Sequence, residues 1–282
     1  MTLTVILALA TSLFFGGSDF LGGVASRRDS AFPVTATAQL LGGALMLAVA
    51  VVVGGTLADR DVALAAFAGI CGGVGVTALY GALAAGRMSI VAPVTAALSG
   101  AVPAAVDLAR GTTIAPVAVA GIALALVAVV IVSISPEEAG GPLLRRPSAA
   151  IVLAVISGLG FGGSLLSFSF TAPASGLLPL VVARAVSLAF AGTLALVRTR
   201  HLIAHREARP SALGAGLLDA AANVTMINAL RLGPLAVAAV LSSLYPVVVV
   251  LLARGVLGER LRALQRAGVA LALVAVMLTA LA

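Results

Sequence analysis

The chain of 282 residues is 61% hydrophobic and 10% charged, with a mean hydropathy of +1.20. Soluble domains are about half apolar and about one quarter charged, so this composition indicates an integral membrane protein. The net charge is +7, but the arginines stand in short segments between apolar stretches. That arrangement suits anionic lipid headgroups and argues against a nucleic-acid-binding protein.

Ten apolar segments follow one another along the chain, and each is long enough to cross a membrane, because about 20 residues span the hydrocarbon core. We therefore predict an all-α membrane protein of ten transmembrane helices. The first segment lacks a preceding basic stretch and a cleavage site, so we expect a retained helix and not a signal peptide. The predicted helices are 3–24, 34–54, 62–85, 90–108, 116–133, 148–170, 177–197, 211–230, 235–256 and 263–282.

An internal repeat divides the chain into two similar halves. The segment AGIALALVAV at 120–129 aligns with AGVALALVAV at 267–276, and FGGS at 15–18 aligns with FGGS at 161–164. We predict a first repeat at 1–135, a linker at 136–147 and a second repeat at 148–282. Five helices per repeat is an odd number, so the repeats enter the membrane from opposite sides. Such inverted repeats favour alternating access.

Charged residues inside membrane helices mark functional sites by default, because each costs about 2.5–3.5 kcal/mol on insertion scales. Arg184 lies in helix 7, and Asp219 and Asn223 lie on one face of helix 8. These residues either bind substrate in a cavity or form a buried ion pair that only joins the two helices. Asp19 in helix 1 is either a proton or cation site or a residue that reaches the headgroups.

Further polar and aromatic residues are candidates for the same cavity. Tyr80, Ser242 and Tyr245 complete the predicted substrate-binding set, and Gln39 and Thr77 occupy plausible cavity positions. Each of them has an alternative role in hydrogen bonds between helices.

The sequence contains no set of residues typical of an enzyme. It lacks a Ser-His-Asp set, a metal cluster and a phosphate loop, so we predict neither catalysis nor a cofactor. His201 and His205 are four residues apart, a spacing that binds metals on helices. Their connection is rich in arginine, which disfavours a cation, so we expect a solvated turn.

Four short motifs occur in order along the chain: GSDF at 17–20, NALRLGP at 228–234, SSLYPV at 242–247 and GERL at 258–261. Together they resemble the EamA-type transporters of the drug/metabolite transporter superfamily. The resemblance implies ten helices, a central cavity formed mainly by helices 1, 3, 4, 6, 8 and 9, and export or exchange of small metabolites. Gly16 departs from the family pattern, which often has Trp there. Glu259 is expected to be a structural loop residue.

We predict a multi-pass secondary transporter of small polar metabolites, such as amino acids, in the cytoplasmic membrane. The sequence has no ATP-binding motif, so the substrate's own gradient or protons at Asp19 or Asp219 would drive transport. An exporter of hydrophobic cations is an alternative that the few aromatic residues disfavour. A structural or sensory membrane protein is a third. Proton coupling and a homodimer are left open.

Arginine placement predicts the orientation of the chain. Thirteen arginines lie in the connections after helices 1, 3, 5, 7 and 9, and three lie after helices 2, 4 and 8. The positive-inside rule then places both termini outside the cell. Members of the resembled family are generally drawn with both termini in the cytoplasm, and we follow the arginine count.

Overall fold

The structure, a computed structural model, describes residues 2–110, 116–134, 147–232 and 241–280. Within these ranges the chain is helical and forms no strand. The helices are α1 (Thr2–Arg28), α2 (Ala31–Val53), α3 (Asp59–Ala85), α4 (Met88–Ala109), α5 (Pro116–Ile134), α6 (Pro147–Ser169), α7 (Leu178–Thr199), α8 (Arg209–Leu232), α9 (Tyr245–Leu257) and α10 (Ala263–Ala280), with a 3-10 turn at Pro173–Ser175.

Five of the described helices, α1, α2, α3, α6 and α7, are long and apolar enough to cross a membrane. Shorter apolar helical stretches occur in α4, α9 and α10. These apolar helices agree with the predicted class, an all-α membrane protein. The layout of ten spanning helices in two repeats stays a prediction. The predicted linker, apart from residue 147, and the predicted start of helix 9 lie outside the described residues.

The prediction of one continuous helix up to residue 256 was wrong at residues 243–244, where a turn interrupts it. Pro246 supplies the physical reason, because proline has no amide hydrogen and disfavours helical backbone at the residue before it. The chain tightens here, and the amide of Val247 donates to the carbonyl of Leu244 at 2.9 Å. Residues 241–242 are helical, and helix α9 begins at Tyr245 after the turn.

Glycines allow the helices to pack backbone against backbone. A Cβ atom on Gly160 of α6 would lie 2.7 Å from the carbonyl oxygen of Cys71 and 2.9 Å from the backbone of Gly75, both on α3. A Cβ on Gly16 of α1 would lie 2.7 Å from the carbonyl oxygen of Tyr245. Small residues at such positions are the usual means of close helix contact in membranes. The missing family tryptophan at position 16 is thus explained by the closeness of α9.

The connections between helices form two groups, one at each end of the bundle. We call one end the arginine-rich face; it holds the connections 29–30, 86–87, 200–208 and 258–262, joined through hydrogen bonds of Arg27 and Arg28. We call the other end the opposite face; it holds the connections 54–58 and 170–177. There the amide of Thr56 donates to Ala174 at 3.1 Å, and Asp61 accepts from Ser175 and from the amide of Ala172.

Glu259 joins the last connection to the start of α4 at the arginine-rich face. Its side chain is 5% exposed. One carboxylate oxygen accepts the amide of Met88 at 3.0 Å, and the other accepts the amide and the hydroxyl of Ser89 at 3.0 and 2.8 Å. Arg27 forms an ion pair with it at 3.4 Å. Glu259 thus caps the amides that a helix N-terminus leaves unpaired.

Replacing Glu259 by alanine should lower the thermal stability of the purified protein. Two buried amides then lose their acceptor, and each unpaired group costs about 1–3 kcal/mol. The change is measured by heating samples to increasing temperatures and following the loss of folded protein by size-exclusion chromatography. Glu259→Gln keeps one oxygen acceptor and should lose less. Glu207→Ala, an exposed acidic residue, is the control. A Glu259→Ala protein that melts like the wild type would contradict the capping role.

A matched pair of glycine substitutions tests the backbone packing. Gly160→Ala should destabilise the protein on the order of 1–3 kcal/mol, because the backbone atoms it meets cannot rotate away. Gly255→Ala, which meets nothing within 4 Å, should be neutral or stabilise its helix by about 1 kcal/mol. The same heating assay compares the two. Equal effects at both positions would show that contact between α3 and α6 does not require a glycine.

Candidate substrate cavity

A cavity of about 300 Å³ lies among α1, α2, α3, α6, α7 and α8, and α4 and α9 each contribute one residue to its wall, Ser99 and Tyr245. Its lining reaches Phe168, near the end of α6, and Leu180, near the start of α7. Both positions lie toward the opposite face. Toward the arginine-rich face the lining extends to Tyr80 and Gln39, which lie well inside their helices. The cavity therefore extends farther toward the opposite face.

Arg184 holds the centre of a polar network that joins three helices. It forms an ion pair with Asp219 of α8, and its other terminal nitrogen donates to the side-chain oxygen of Gln39 on α2 at 2.9 Å. The amide of Gln39 in turn donates to the hydroxyl of Ser187 at 2.9 Å. The side chains of Arg184 and Asp219 are 15% and 25% exposed. The two residues therefore form an ion pair that also lines the cavity, and their binding of substrate stays a prediction.

The predicted polar face of α8 faces the cavity. Asn223 lines it together with Asp219. The amide of Asn223 donates to the backbone oxygen of Asp219 at 2.7 Å and lies 3.5 Å from its carboxylate. The helical spacing of four residues therefore places the amide where it supports the Asp219 carboxylate.

Asp19 also lines the cavity, which rules against the alternative of a residue that reaches the headgroups. Among the described residues it makes no hydrogen bond and no ion pair. Asp219 lines the same cavity, so the two carboxylates would repel each other if both were ionised. With both carboxylates ionised, the cavity carries two negative charges against the single positive charge of Arg184. The site therefore has one carboxylate that no basic side chain neutralises.

Aromatic side chains form much of the remaining wall. Both tyrosines of the chain, Tyr80 and Tyr245, line the cavity with three of its nine phenylalanines. The rings of Phe15 and Tyr245 meet edge to face with centroids 6.2 Å apart. Sequence reasoning missed the phenylalanines. The repeated FGGS motif was the available signal, because the Phe and Ser of both copies line the cavity.

Two expected lining residues lie elsewhere. Ser242 is 8% exposed and does not line the cavity, and Thr77 is likewise buried outside its wall. The turn at 243–244 explains the first case, since it interrupts the helical spacing that would place Ser242 on the same face as Tyr245. Gln39 does line the cavity. Six of the seven predicted binding residues thus surround one space.

Comparison with known proteins relates the second half of the chain to a transporter family. Residues 148–281 match the model of the EamA-like transporter family. This half of the chain belongs to that family. The match covers 134 of the 282 residues, and over this half of the chain it confirms the resemblance drawn from the short motifs. The EamA-like match covers α6 to α10, which supply Arg184, Asp219, Asn223 and Tyr245 to the cavity.

A solved structure shows the same fold over nearly the whole chain. A protein crystal structure covers 96% of this chain, and this chain covers 97% of that one, with a TM-score of 0.59. Its sequence identity of 16% limits the likeness to the fold. No curated protein matches this EamA-like chain in sequence.

Neutralising one partner of the Arg184–Asp219 pair should destabilise the protein more than neutralising both. A single change leaves a half-buried charge uncompensated, at a cost on the order of 2 kcal/mol, whereas the double neutral variant leaves none. Melting of Arg184→Gln, Asp219→Asn and the double variant measures this. Arg198→Gln, an exposed arginine on the same helix, is the control. Additive losses in the double variant would refute the coupling.

Proposed function

We propose that this EamA-like protein is a secondary transporter that exports or exchanges small polar metabolites bearing an amino group, such as amino acids. The observation that carries the proposal is Asp19, a cavity carboxylate without a basic partner, near the Arg184–Asp219 pair. A positive charge is needed there to balance the cavity. An amino group or a proton supplies it.

The two ends of an amino acid match the two kinds of charge in the cavity. The ammonium group would approach Asp19, and the carboxylate would approach Arg184 by replacing part of its contact with Asp219. Gln39 already occupies one guanidinium nitrogen, so Arg184 is held in place while its other nitrogens exchange partners. The cavity volume of about 300 Å³ stands at the lower limit for ligand pockets, which favours small metabolites.

Alternating access would move this cavity between the two faces. The proposed halves, 1–135 and 148–282, would reorient relative to each other about the site. Contacts that join the halves occur at both faces, through Asp29 at the arginine-rich face and Asp61 at the opposite face. These hydrogen bonds would break and form again as the protein changes from one access state to the other. The cavity's extension toward the opposite face supports a state that opens there.

A transport assay in proteoliposomes tests the proposal. Pooled labelled amino acids should exchange, with a rate that responds to a pH gradient. Asp19→Asn and Arg184→Gln should each reduce flux by at least about tenfold, because each removes a charged contact worth about 1.5–3 kcal/mol. Asp59→Asn, an exposed acid outside the cavity, should leave flux unchanged. Normal flux in both cavity variants at normal expression would refute the assigned roles.

Export of hydrophobic cations is the second candidate function. It is favoured by the concentration of aromatic rings around a carboxylate without a basic partner, since ring faces attract cations. Replacing Phe161 by leucine should separate the two functions. It keeps an apolar wall, so amino-acid flux should change little while flux of a quaternary ammonium probe falls. A membrane protein with a structural or sensory role would show neither flux.

We propose that both termini lie outside the cell, so that the arginine-rich face is cytoplasmic and the cavity in this structure extends toward the exterior. The positive-inside rule supports this orientation. A cysteine added at the C-terminus, in a Cys71→Ala background that removes the native cysteine, should react with an impermeant thiol reagent in intact cells. Labelling that occurs only after the membrane is opened would reverse the orientation.

A further inference from the structure

A cluster of three side chains outside the cavity joins two connections at the arginine-rich face. Asp29 lies between α1 and α2, and His201 and His205 lie in the connection between α7 and α8. Their ligand atoms all lie within 4.8 Å of one another. Residues 201–205 form turns and not a helix, so the two rings approach through the loop conformation, with centroids 4.1 Å apart.

The hydrogen bonds of His201 decide which ring nitrogen faces the carboxylate. Nδ1 lies 2.8 Å from the carbonyl oxygen of Thr199, which can only accept, so Nδ1 carries the proton. Nε2 then faces the carboxylate of Asp29, at 3.2 and 3.3 Å from its two oxygens. Two electron-pair donors at that distance require a positive ion between them. A second proton on the ring or a metal ion meets the requirement.

The separation of the two atoms fits a metal ion without rearrangement. An ion bound to a nitrogen and an oxygen at about 2.0–2.1 Å each, in tetrahedral geometry, holds them about 3.3 Å apart. The ring of His201 is oriented by the Thr199 carbonyl, as outer partners orient histidine ligands. Asp29 is also fixed, because its two oxygens accept the amides of Ser30 at 2.7 Å and of His205 at 2.8 Å.

We propose that Asp29, His201 and His205 form a binding site for a transition-metal ion of the zinc class. Three protein ligands leave the fourth tetrahedral position to water. His205 is exposed, so its ring reaches the ion by a side-chain rotation. The ion would tie the connection that follows α1 to the connection that follows α7.

The type of ligand atom, and not the charge of the neighbouring arginines, decides which cation the site binds. Arg28 donates to the carbonyl of Glu207 at 3.2 Å and Arg209 donates to that of Ala204 at 3.1 Å, so two guanidinium groups stand on the same connection. Their positive charge opposes every divalent cation, as expected from the sequence, so only ions that bond strongly to imidazole nitrogen overcome it, and Mg²⁺ and Ca²⁺, which prefer oxygen ligands, do not. Imidazole ligands favour Zn²⁺, Ni²⁺, Cu²⁺ and Co²⁺. The site should therefore take these ions in an excess of Mg²⁺.

Calorimetric titration of the purified protein with zinc chloride tests the site. The protein must carry no polyhistidine tag, because the tag itself would bind the metal. We expect one saturable site per chain that millimolar Mg²⁺ does not block. His201→Ala and His205→Ala should each weaken binding by at least about tenfold, given that even outer partners contribute that much. Glu207→Gln, an acid in the same connection, should bind as the wild type does.

Co²⁺ provides an independent readout, because a tetrahedral site with nitrogen ligands gives visible absorption bands. These bands should disappear in His205→Ala, whose exposed position makes a folding defect unexpected. Absence of saturable zinc binding, or binding and cobalt bands retained in both histidine variants, would overturn the proposal and leave a proton between His201 and Asp29. Neither experiment involves transport, so their failure would not bear on the proposed function.

Discussion

Charge balance inside the cavity is the constraint on which the arrangement of this protein depends. Arg184 in a membrane helix requires a nearby anion, and Asp219 supplies it with the help of Gln39 and Asn223. Asp219 thereby compensates the charge of Arg184, and Asp19 lines the same cavity without a basic partner among the described residues. In the proposed function a proton or a cationic group at Asp19 would balance the remaining carboxylate, which would link the charge balance of the cavity to transport.

The close packing of the helices creates the setting in which these charges interact strongly. Gly160 lets α6 approach the backbone of α3, and Gly16 lets α1 approach α9. The approach of α9 places Tyr245 against Phe15 at the cavity wall. An apolar and aromatic wall lowers the effective dielectric constant around these charges, so the preference for charge neutrality is stronger than in water. The close packing of the helices therefore strengthens the electrostatic interactions in the cavity.

Sequence reasoning succeeded where the information was local. The spacing of Asp219 and Asn223 places them on one helical face, and the structure has both at the cavity. It failed where contacts join distant segments. The contact between His201 and Asp29 spans 172 positions, and no periodicity within either segment indicates it. Ser242 was misplaced because a turn, and not a continuous helix, precedes Pro246. Gln39 was recognised only as polar, since its partners Arg184 and Ser187 lie on another helix.

The proposed repeat gives this asymmetry a physical meaning. A shift of 147 residues places Gly72 opposite Asp219 and Val76 opposite Asn223, and all four line the same cavity. Equivalent positions of the two halves thus reach one space, but at these two positions the polar groups come from the second half, whereas Asp19 and Gln39 come from the first. Symmetric packing would let two access states have similar energies, as alternating access requires. A single set of charges would then serve both states, so that the substrate keeps its partners while the surrounding helices exchange theirs.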